Sequence, residues 1–304
     1  MSVLQLLILS TSIANHLEFM ELQCIKVCGQ PVKVNGMEST LLDLILLSEK
    51  RKNVLLLLLE GPKDIETMKK ALNASATAVQ PQVKKLKEHN LIVQDKNLYE
   101  LSEMGRIVVE KMKPLVDTLA VFEGNADYWA DREVNKIPSF LLRRINEMGH
   151  CTIIEPQIDH MFEMIPEYVK NVRMSKNLKA VLPYFHPLFP SFHLEIAEKG
   201  VPTSLVLPES VLKRWIEDYR EQTEKYLKIK NAKLFVCMDC ERIPAIISAD
   251  NFMAMALFPK STVFDRKYVI CFEPGALGWG KELYDYYEQH SKQINNIDSY
   301  THEP

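Results

Sequence analysis

One short stretch of this chain changes from helical to strand periodicity, and few folds accommodate that change. Val79, Val83 and Leu86 recur at intervals of four and three, the spacing of a single buried helix face. Just beyond, Leu91-Ile92-Val93 and Leu98-Tyr99-Glu100-Leu101 read as two short strands around a tight turn, Asp95-Lys96-Asn97. Upstream, Leu41, Leu42, Leu44, Ile45 and Leu47 make one apolar helical segment. Polar Glu49-Lys50-Arg51-Lys52 follows, then the apolar run Val54 to Leu59, stopped by Gly61-Pro62. Asp64 is placed to cap a short helix with Ile65, Met68 and Leu72 on one face, and Asn73-Ala74-Ser75 supplies a turn. Ser102 is placed to cap a further helix through Ile107, Val108 and Met112.

Three helices, then strand, turn, strand and helix, is the order of a winged helix-turn-helix. Three helices bury one core, and the third offers its outer face to a major groove wide enough to admit it. Pro81 bears on where that third helix begins. In a helix interior proline costs about 3 kcal/mol, because it lacks a donor and its ring meets the carbonyl four residues back. In the first turn the missing donor has no intrahelical partner anyway. With Thr77 or Ala78 as N-cap, the spacing predicts a helix over Val79 to His89. Ser75, Thr77, Ala78, Gln80 and Gln82 then surround its front, Lys84 and Lys85 lie farther along, and Lys96 sits on the turn. These are the candidate contacts to double-stranded DNA. The same motif also serves protein contacts alone, since a fold does not fix a function.

Charge separates the two halves. From Thr40 to Leu115 there are 13 Lys or Arg against 10 Asp or Glu, in a chain whose net charge is -3. The rest of the chain is therefore acidic, beside a mildly basic N-terminal module. Lys69, Lys70, Lys84, Lys85 and Lys87 cluster around the helix-turn-helix against Glu88 alone, which is either a solvated face or a phosphate-contacting one. Six cysteines, Cys24, Cys28, Cys151, Cys237, Cys240 and Cys271, are sparse for this length and fit a reducing cytoplasm better than a disulfide framework. No apolar stretch reaches the roughly 20 residues of a membrane span. A soluble, cytoplasmic protein with no membrane partner is expected.

The second half reads as an α/β layer. Strand-like runs at Cys151–Ile154, Leu178–Leu182 and Ser204–Leu207 alternate with helical segments around Met161–Val169, Phe192–Ala197 and Val211–Tyr219, which predicts parallel strands. Leu234–Cys237, Ala245–Ile247 and Met253–Phe258 read as a meander, and Trp279, Leu283, Tyr286, Tyr287 and Ile294 as the buried stripe of a final helix. The predicted organisation is an extension or early start over 1–36, the winged helix-turn-helix over 37–115, a helical connector over 116–148 of the kind that carries subunit contacts, and an α/β regulatory domain over 149–296.

Several stretches, "PQVKKLKEHNLI", "YELSEMG", "KMKPLVDTL", "DYWADREVNKIP" and "GALGWGKELYDYY", resemble the winged-helix regulators of methanogenic archaea that carry a methanogenesis-regulator domain. These are distantly akin to the ArsR group. The resemblance runs from about Met37 to Ile294. The second half is also similar to the phospholipase-D-like domain of sugar-responsive archaeal regulators. The resemblance gives Thr77, Gln80, Gln82, Lys84 and Lys85 the recognition-helix role and Lys96 the wing tip. It implies a homodimer, with the second half sensing a small-molecule effector or mediating assembly.

Phospholipase-D chemistry needs a histidine, a lysine two residues on and an aspartate five beyond. His186 and His193 lack the lysine; His290-Ser291-Lys292 has the first spacing, but Ile297 stands where the aspartate belongs and Asp298 comes one late. A glycine-rich phosphate loop, a GxSxG elbow and an HExxH motif are also missing. A phosphodiesterase-type enzyme is thus disfavoured, no catalytic residues or cofactor are assigned, and His150, His160, His186 and His193 read as surface or packing residues. Cys237-Met238-Asp239-Cys240 is the one compact constellation. Two thiolates three positions apart can converge on zinc or cycle as a dithiol, and the alternative is two ordinary cysteines at a core edge. Tyr184-Phe185-His186-Pro187 follows a strand's C-terminal end, where open α/β sheets bind ligands.

Overall fold

A computed structural model describes residues 40–156, 163–238, 240–261 and 265–297. The expected extension over 1–36, Cys24, Cys28, His160 and Asp298 lie outside the described residues. The chain divides into two compact units, one ending at Val109 and one beginning at Glu110.

The first unit opens with four helices, α1 (Thr40–Leu46), α2 (Glu49–Leu58), α3 (Ile65–Ala71) and α4 (Ala76–Glu88). Val54, Leu55 and Leu58 of α2, Met68 of α3 and Val79, Val83 and Leu86 of α4 are buried together with Leu91, Ile92 and Leu101. The Ser48 hydroxyl caps α2 by accepting from the Arg51 N–H at 3.4 Å, and Asp64 Oδ1 caps α3 by accepting from the Thr67 N–H at 2.6 Å. That amide holds the Asp64 carboxyl below its usual range.

Helix α4 begins earlier than the spacing predicts. Ser75, not Thr77 or Ala78, is its N-cap, and Pro81 is its sixth residue. The carbonyl of Thr77 therefore lacks the amide that would close the next turn. Burial decides the matter: Val79 lies within the first turn and is 3% exposed, so seating it beside Val83 and Leu86 requires the preceding residues to be helical already. The hydroxyls of Ser75 and Thr77 pair at 2.8 Å across this entry. The other end closes on Asn90, whose φ of 57° is left-handed. The Asn90 N–H donates to Lys87 O and the Leu91 N–H to Leu86 O, both at 3.0 Å, with Leu86 and Leu91 fully buried; this is a Schellman motif.

Strand β1 (Ile92–Asp95) pairs antiparallel with β2 (Leu98–Leu101), Asp95 opposite Leu98. The connecting turn is thus only Lys96 and Asn97, with Lys96 left-handed at φ 52°. Lys63 and Tyr99 exchange two backbone hydrogen bonds of 2.9 Å on the far side of β2. The Ser102 hydroxyl starts α5 (Glu103–Glu123) as expected, accepting from the Gly105 N–H at 2.9 Å and donating to Asn90 O at 2.6 Å. A Cβ on Gly105 would stand 1.8 Å from the Leu91 carbonyl oxygen, so this approach of helix to strand requires glycine.

The second unit is built on one eight-stranded sheet. Its strands are β3 (Cys151–Ile154), β4 (Leu178–Val181), β5 (Thr203–Pro208), β6 (Ala232–Cys237), β7 (Ala245–Ala249), β8 (Met253–Ala256), β9 (Tyr268–Cys271) and β10 (Lys292–Ile294), in the spatial order β10-β6-β5-β4-β7-β8-β9-β3. Only β4, β5 and β6 run parallel; every other pairing is antiparallel. The expected parallel layer is therefore half of a mixed sheet. Strand β6 lies beside β5 rather than opening a meander, which consists of β7, β8 and β9. The central strand β5 is buried along its whole length, so helices must cover both faces. After the short helices α6 (Ala126–Ala130) and α7 (Ser139–Leu142), one face is covered by α8 (Pro166–Met174), α9 (Phe189–Glu198), α10 (Glu209–Asp218) and α11 (Arg220–Lys228), which supply Val172, Phe192, Trp215 and Tyr226. On the other, α12 (Pro274–Gln289) supplies Trp279, Leu283 and Tyr284.

The segment 116–148, expected as a connector, packs into that second face. Val121, Tyr128, Trp129, Leu141 and Met148 belong to its core, and the Trp279 indole N–H donates to Leu141 O at 3.0 Å. Ile294 is buried, but in β10; the final helix stops at Gln289. The expectation of unpaired cysteines is also corrected. Cys151 and Cys271 are disulfide-bonded directly across β3 and β9, and Cys237 is bonded to Cys240. Strand register creates the first pair from residues 120 apart, which spacing could not show. Among the described residues, no helix is long and apolar enough to cross a membrane.

Candidate nucleic-acid interface

One helix dominates the site. The inward face of α4 is taken by Val79, Val83 and Leu86, so its 3.6-residue period presents Thr77, Gln80, Pro81, Lys84 and Glu88 to solvent. The Lys84 side chain is 79% exposed and lies 4.0 Å from Glu88, too loose and too wet a pair to tie it down. Ser75 at the N-cap and Lys85 beside Lys84 are exposed as well. Six of the eight sequence-derived residues, including Lys96 on the strand turn, are thus accessible on the surface of this unit.

Gln82 and Ala78 differ. Gln82 is half-buried and its Oε1 accepts from Arg51 Nη1 of α2 at 3.2 Å, while Arg51 Nε donates to the Leu44 carbonyl of α1. Its amide oxygen is engaged in joining three helices rather than left outward. Ala78 is half-buried and lines a cleft with Lys50, Asn53 and Leu72, where α4 meets α2 and the end of α3. Both lie on the flank of the helix, about 100° per residue away from the outer stripe.

Lys87, named above only within the lysine cluster, and Gln94, which the sequence reading did not single out, connect helix and turn. Lys87 Nζ donates to Gln94 Oε1 at 2.9 Å, and Gln94 Nε2 donates to the Lys96 carbonyl at 2.8 Å. The chain Lys87–Gln94–Lys96 fixes the position of the turn relative to α4 and leaves the Lys96 side chain exposed. The signal was available: Gln94 is an outward polar position two before the turn residue whose carbonyl it holds.

In the second unit, the histidines weighed for chemistry are packed or capped. His193 is fully buried, with Nδ1 2.8 Å from Phe189 O and Nε2 3.1 Å from the Tyr168 hydroxyl, and burial lowers its pKa to about 4. His186 stacks on Phe189 at 4.9 Å. His290 ends α12 with Nδ1 2.6 Å from Tyr286 O. Among the described residues, no group of three His, Cys, Asp or Glu could hold a metal ion, and the Cys237 and Cys240 sulfurs are bonded to each other. A zinc site on that pair finds no third ligand there.

Comparison with known proteins follows the same division of the chain. Residues 40–120 match the N-terminal domain of a methanogenesis regulatory protein, and residues 161–290 match the middle domain of the same protein. That protein is FilR1: the curated FilR1 of Methanothrix harundinacea (strain 6Ac) is 22% identical over 258 residues, covering 83% of this chain and 57% of the relative. The present chain thus spans little more than half the length of that relative. Among solved structures, TrmBL2, an archaeal chromatin protein, superposes with a TM-score of 0.38 at 11% identity, over 89% of this chain and 98% of its own. A phospholipase D family member, Nuc from Salmonella typhimurium, gives 0.36 at 11% identity, over 48% of this chain and 100% of its own. Superpositions this loose fix no residue correspondence.

Proposed function

We propose that the chain is a sequence-specific, DNA-binding transcription regulator whose first unit is a winged helix-turn-helix. Helix α4 is the recognition helix, and the observation that carries the reading is its two-sidedness. Val79, Val83 and Leu86 anchor it to the helical core, while Thr77, Gln80 and Lys84 stand outward with Lys85 beside them. An exposed N-terminal half with small and amide side chains suits base edges, and lysines farther along suit phosphates. The two-residue turn reaches less far than a long wing, so Lys96 contributes a backbone contact at most. The similarity to a methanogenesis regulatory protein over both matched segments supports a regulatory role.

The regulator acts as a homodimer, with a phospholipase-D-like α/β unit that senses an effector. Leu42 and Leu46 on α1, Leu47 just after it, and Met104 and Ile107 on α5 are exposed apolar side chains within the first unit, which supports a subunit interface there. A mobility shift on duplex DNA from the chain's own promoter region tests the proposal. Affinity should fall steeply with salt, because each lysine–phosphate contact releases counterions; binding that ignores salt, or none at all, would remove it. A thiol-responsive variant of this regulator is favoured by one observation, the bond between Cys237 and Cys240 at the end of β6. Repeating the shift with and without reductant, on wild type and Cys240→Ser, separates the two.

A further inference from the structure

A small cavity of about 60 Å³ opens at the carboxyl end of β4, where the parallel half of the sheet meets the antiparallel half. Its floor is unusually shallow in side chain. Ala245 and Ala256 are register partners on β7 and β8, and Ala254 faces Ile247 one row along, so alanines stand where larger residues would fill the space. Tyr184, from the segment after β4, and Tyr268, the first residue of β9, form polar walls in an otherwise apolar lining.

Among the described residues, Arg266 is the one charged residue that lines it. Its neighbours in sequence are both committed: Asp265 receives two hydrogen bonds from Arg132, and Lys267 Nζ donates to Glu155 at 2.7 Å. Arg266 itself makes no ion pair among the described residues; its Nη2 donates to the backbone carbonyl of Glu163 at 2.9 Å, and its guanidinium sits against the Tyr184 hydroxyl. Among the described residues its Nε and the Tyr268 hydroxyl are buried without a hydrogen-bond partner, and Tyr268 as a whole is 8% exposed. Leaving two buried donors unmet is costly, the more so on a cation. Burial, chiefly, raises the Tyr268 phenol's pKa, so that it stays protonated and able to donate.

The geometry points to this cavity as a binding site for a short-chain aliphatic carboxylate, whose oxygens meet Arg266 Nε and the Tyr268 hydroxyl and whose alkyl end lies on Ala245, Ala254 and Ala256. Anionic charge follows from a guanidinium that has no ion-pair partner among the described residues, and a planar carboxylate matches its donors better than a tetrahedral anion in an apolar chamber. Size follows from the volume: about 150 Å³ holds the six carbons of benzene, so this cavity encloses about two or three non-hydrogen atoms and, being open at its mouth, takes a chain of no more than about three carbons. That occupancy would serve as the effector input rests on the regulator reading; the site itself does not.

Titration calorimetry on the full chain without DNA tests the site directly, with acetate, propionate, benzoate and inorganic phosphate as probes. Propionate or acetate should bind one to one, and benzoate and phosphate should not. Arg266→Gln should weaken binding about tenfold or more, Tyr268→Phe about fivefold, and Ala256→Leu, which fills the chamber, should abolish it. Should the variants fail to fold, wild-type protein with labelled propionate must still show nuclear Overhauser contacts from the ligand methyl to the Ala254 and Ala256 methyls. No carboxylate binding by wild type, equal binding by phosphate, or missing contacts to those alanines would each overturn the site. A mobility shift with and without propionate addresses the effector role separately: altered DNA affinity supports it, and unaltered affinity ends it.

Discussion

Gln82 and Lys84 stand two residues apart on α4, yet one is tied inward to Arg51 and the other is 79% exposed. Gln82→Ala should therefore lower stability by about 1 kcal/mol, the net value of one such hydrogen bond, and leave the salt dependence of DNA binding alone. Lys84→Ala should do the opposite: unchanged unfolding in denaturant, weaker DNA binding, and a log–log salt slope shallower by about one. A second residue-scale prediction concerns His193. Its imidazole is held neutral in the folded chain, with a pKa of about 4 against 6.5 for a free side chain. Between those values the unfolded chain binds more protons, so the stabilising contribution is intact above pH 6.5 and is lost progressively as pH falls toward 4. The loss approaches about 3 kcal/mol. Urea unfolding at about pH 7 and about pH 4.5 should show a smaller acid-induced drop for His193→Gln than for wild type; equal drops would mean the imidazole is protonated in the fold.

At the scale of elements, the proline in α4 is where local chemistry and packing disagree. Proline in the sixth position leaves the Thr77 carbonyl without its intrahelical donor, and Pro81 itself is exposed. Pro81→Ala should stabilise the first unit by about 1 to 3 kcal/mol, read as a higher denaturation midpoint. No gain would show that Pro81's restriction of the unfolded chain offsets the missing bond. The boundaries of α4 show what was legible. Its inner face, its end near His89 and the two strands after it follow from apolar period and the turn residues, all local signals. Its start was misplaced because the proline rule is local, while the burial of Val79 is decided by α2 and α3. In the second unit β4, β5 and β6 were readable as apolar runs. Strands β9 and β10 were not: no strand was read over Tyr268–Cys271, and Ile294 was assigned to the stripe of the final helix.

At the scale of the whole molecule, the exposed apolar residues of the first unit are where the proposed homodimer is tested. Ile107 is 63% exposed and Leu47 79%, values more typical of a lysine than of a branched aliphatic. Sedimentation analysis should find a dimer for wild type and a monomer for Ile107→Glu, with DNA affinity falling together with the dimer. A wild-type monomer at the concentrations of the binding assay would remove the homodimer from the proposal.

The amino-acid order alone settled the features that depend on near neighbours: which faces of the helices are apolar, that Ser102 starts α5, and that lysines gather around one helix. Only the folded chain decided what depends on residues far apart. It set the pairing of Cys151 with Cys271, the turning inward of Gln82 onto Arg51, the packing of residues 116–148 on the sheet, and the meeting of Arg266, Tyr268 and three alanines around one chamber. The reason is one of range. Periodicity and capping act over a few residues of backbone, whereas register and burial are set by which strands and helices lie against one another, and a one-residue slip in a strand would turn each of those side chains to the other face.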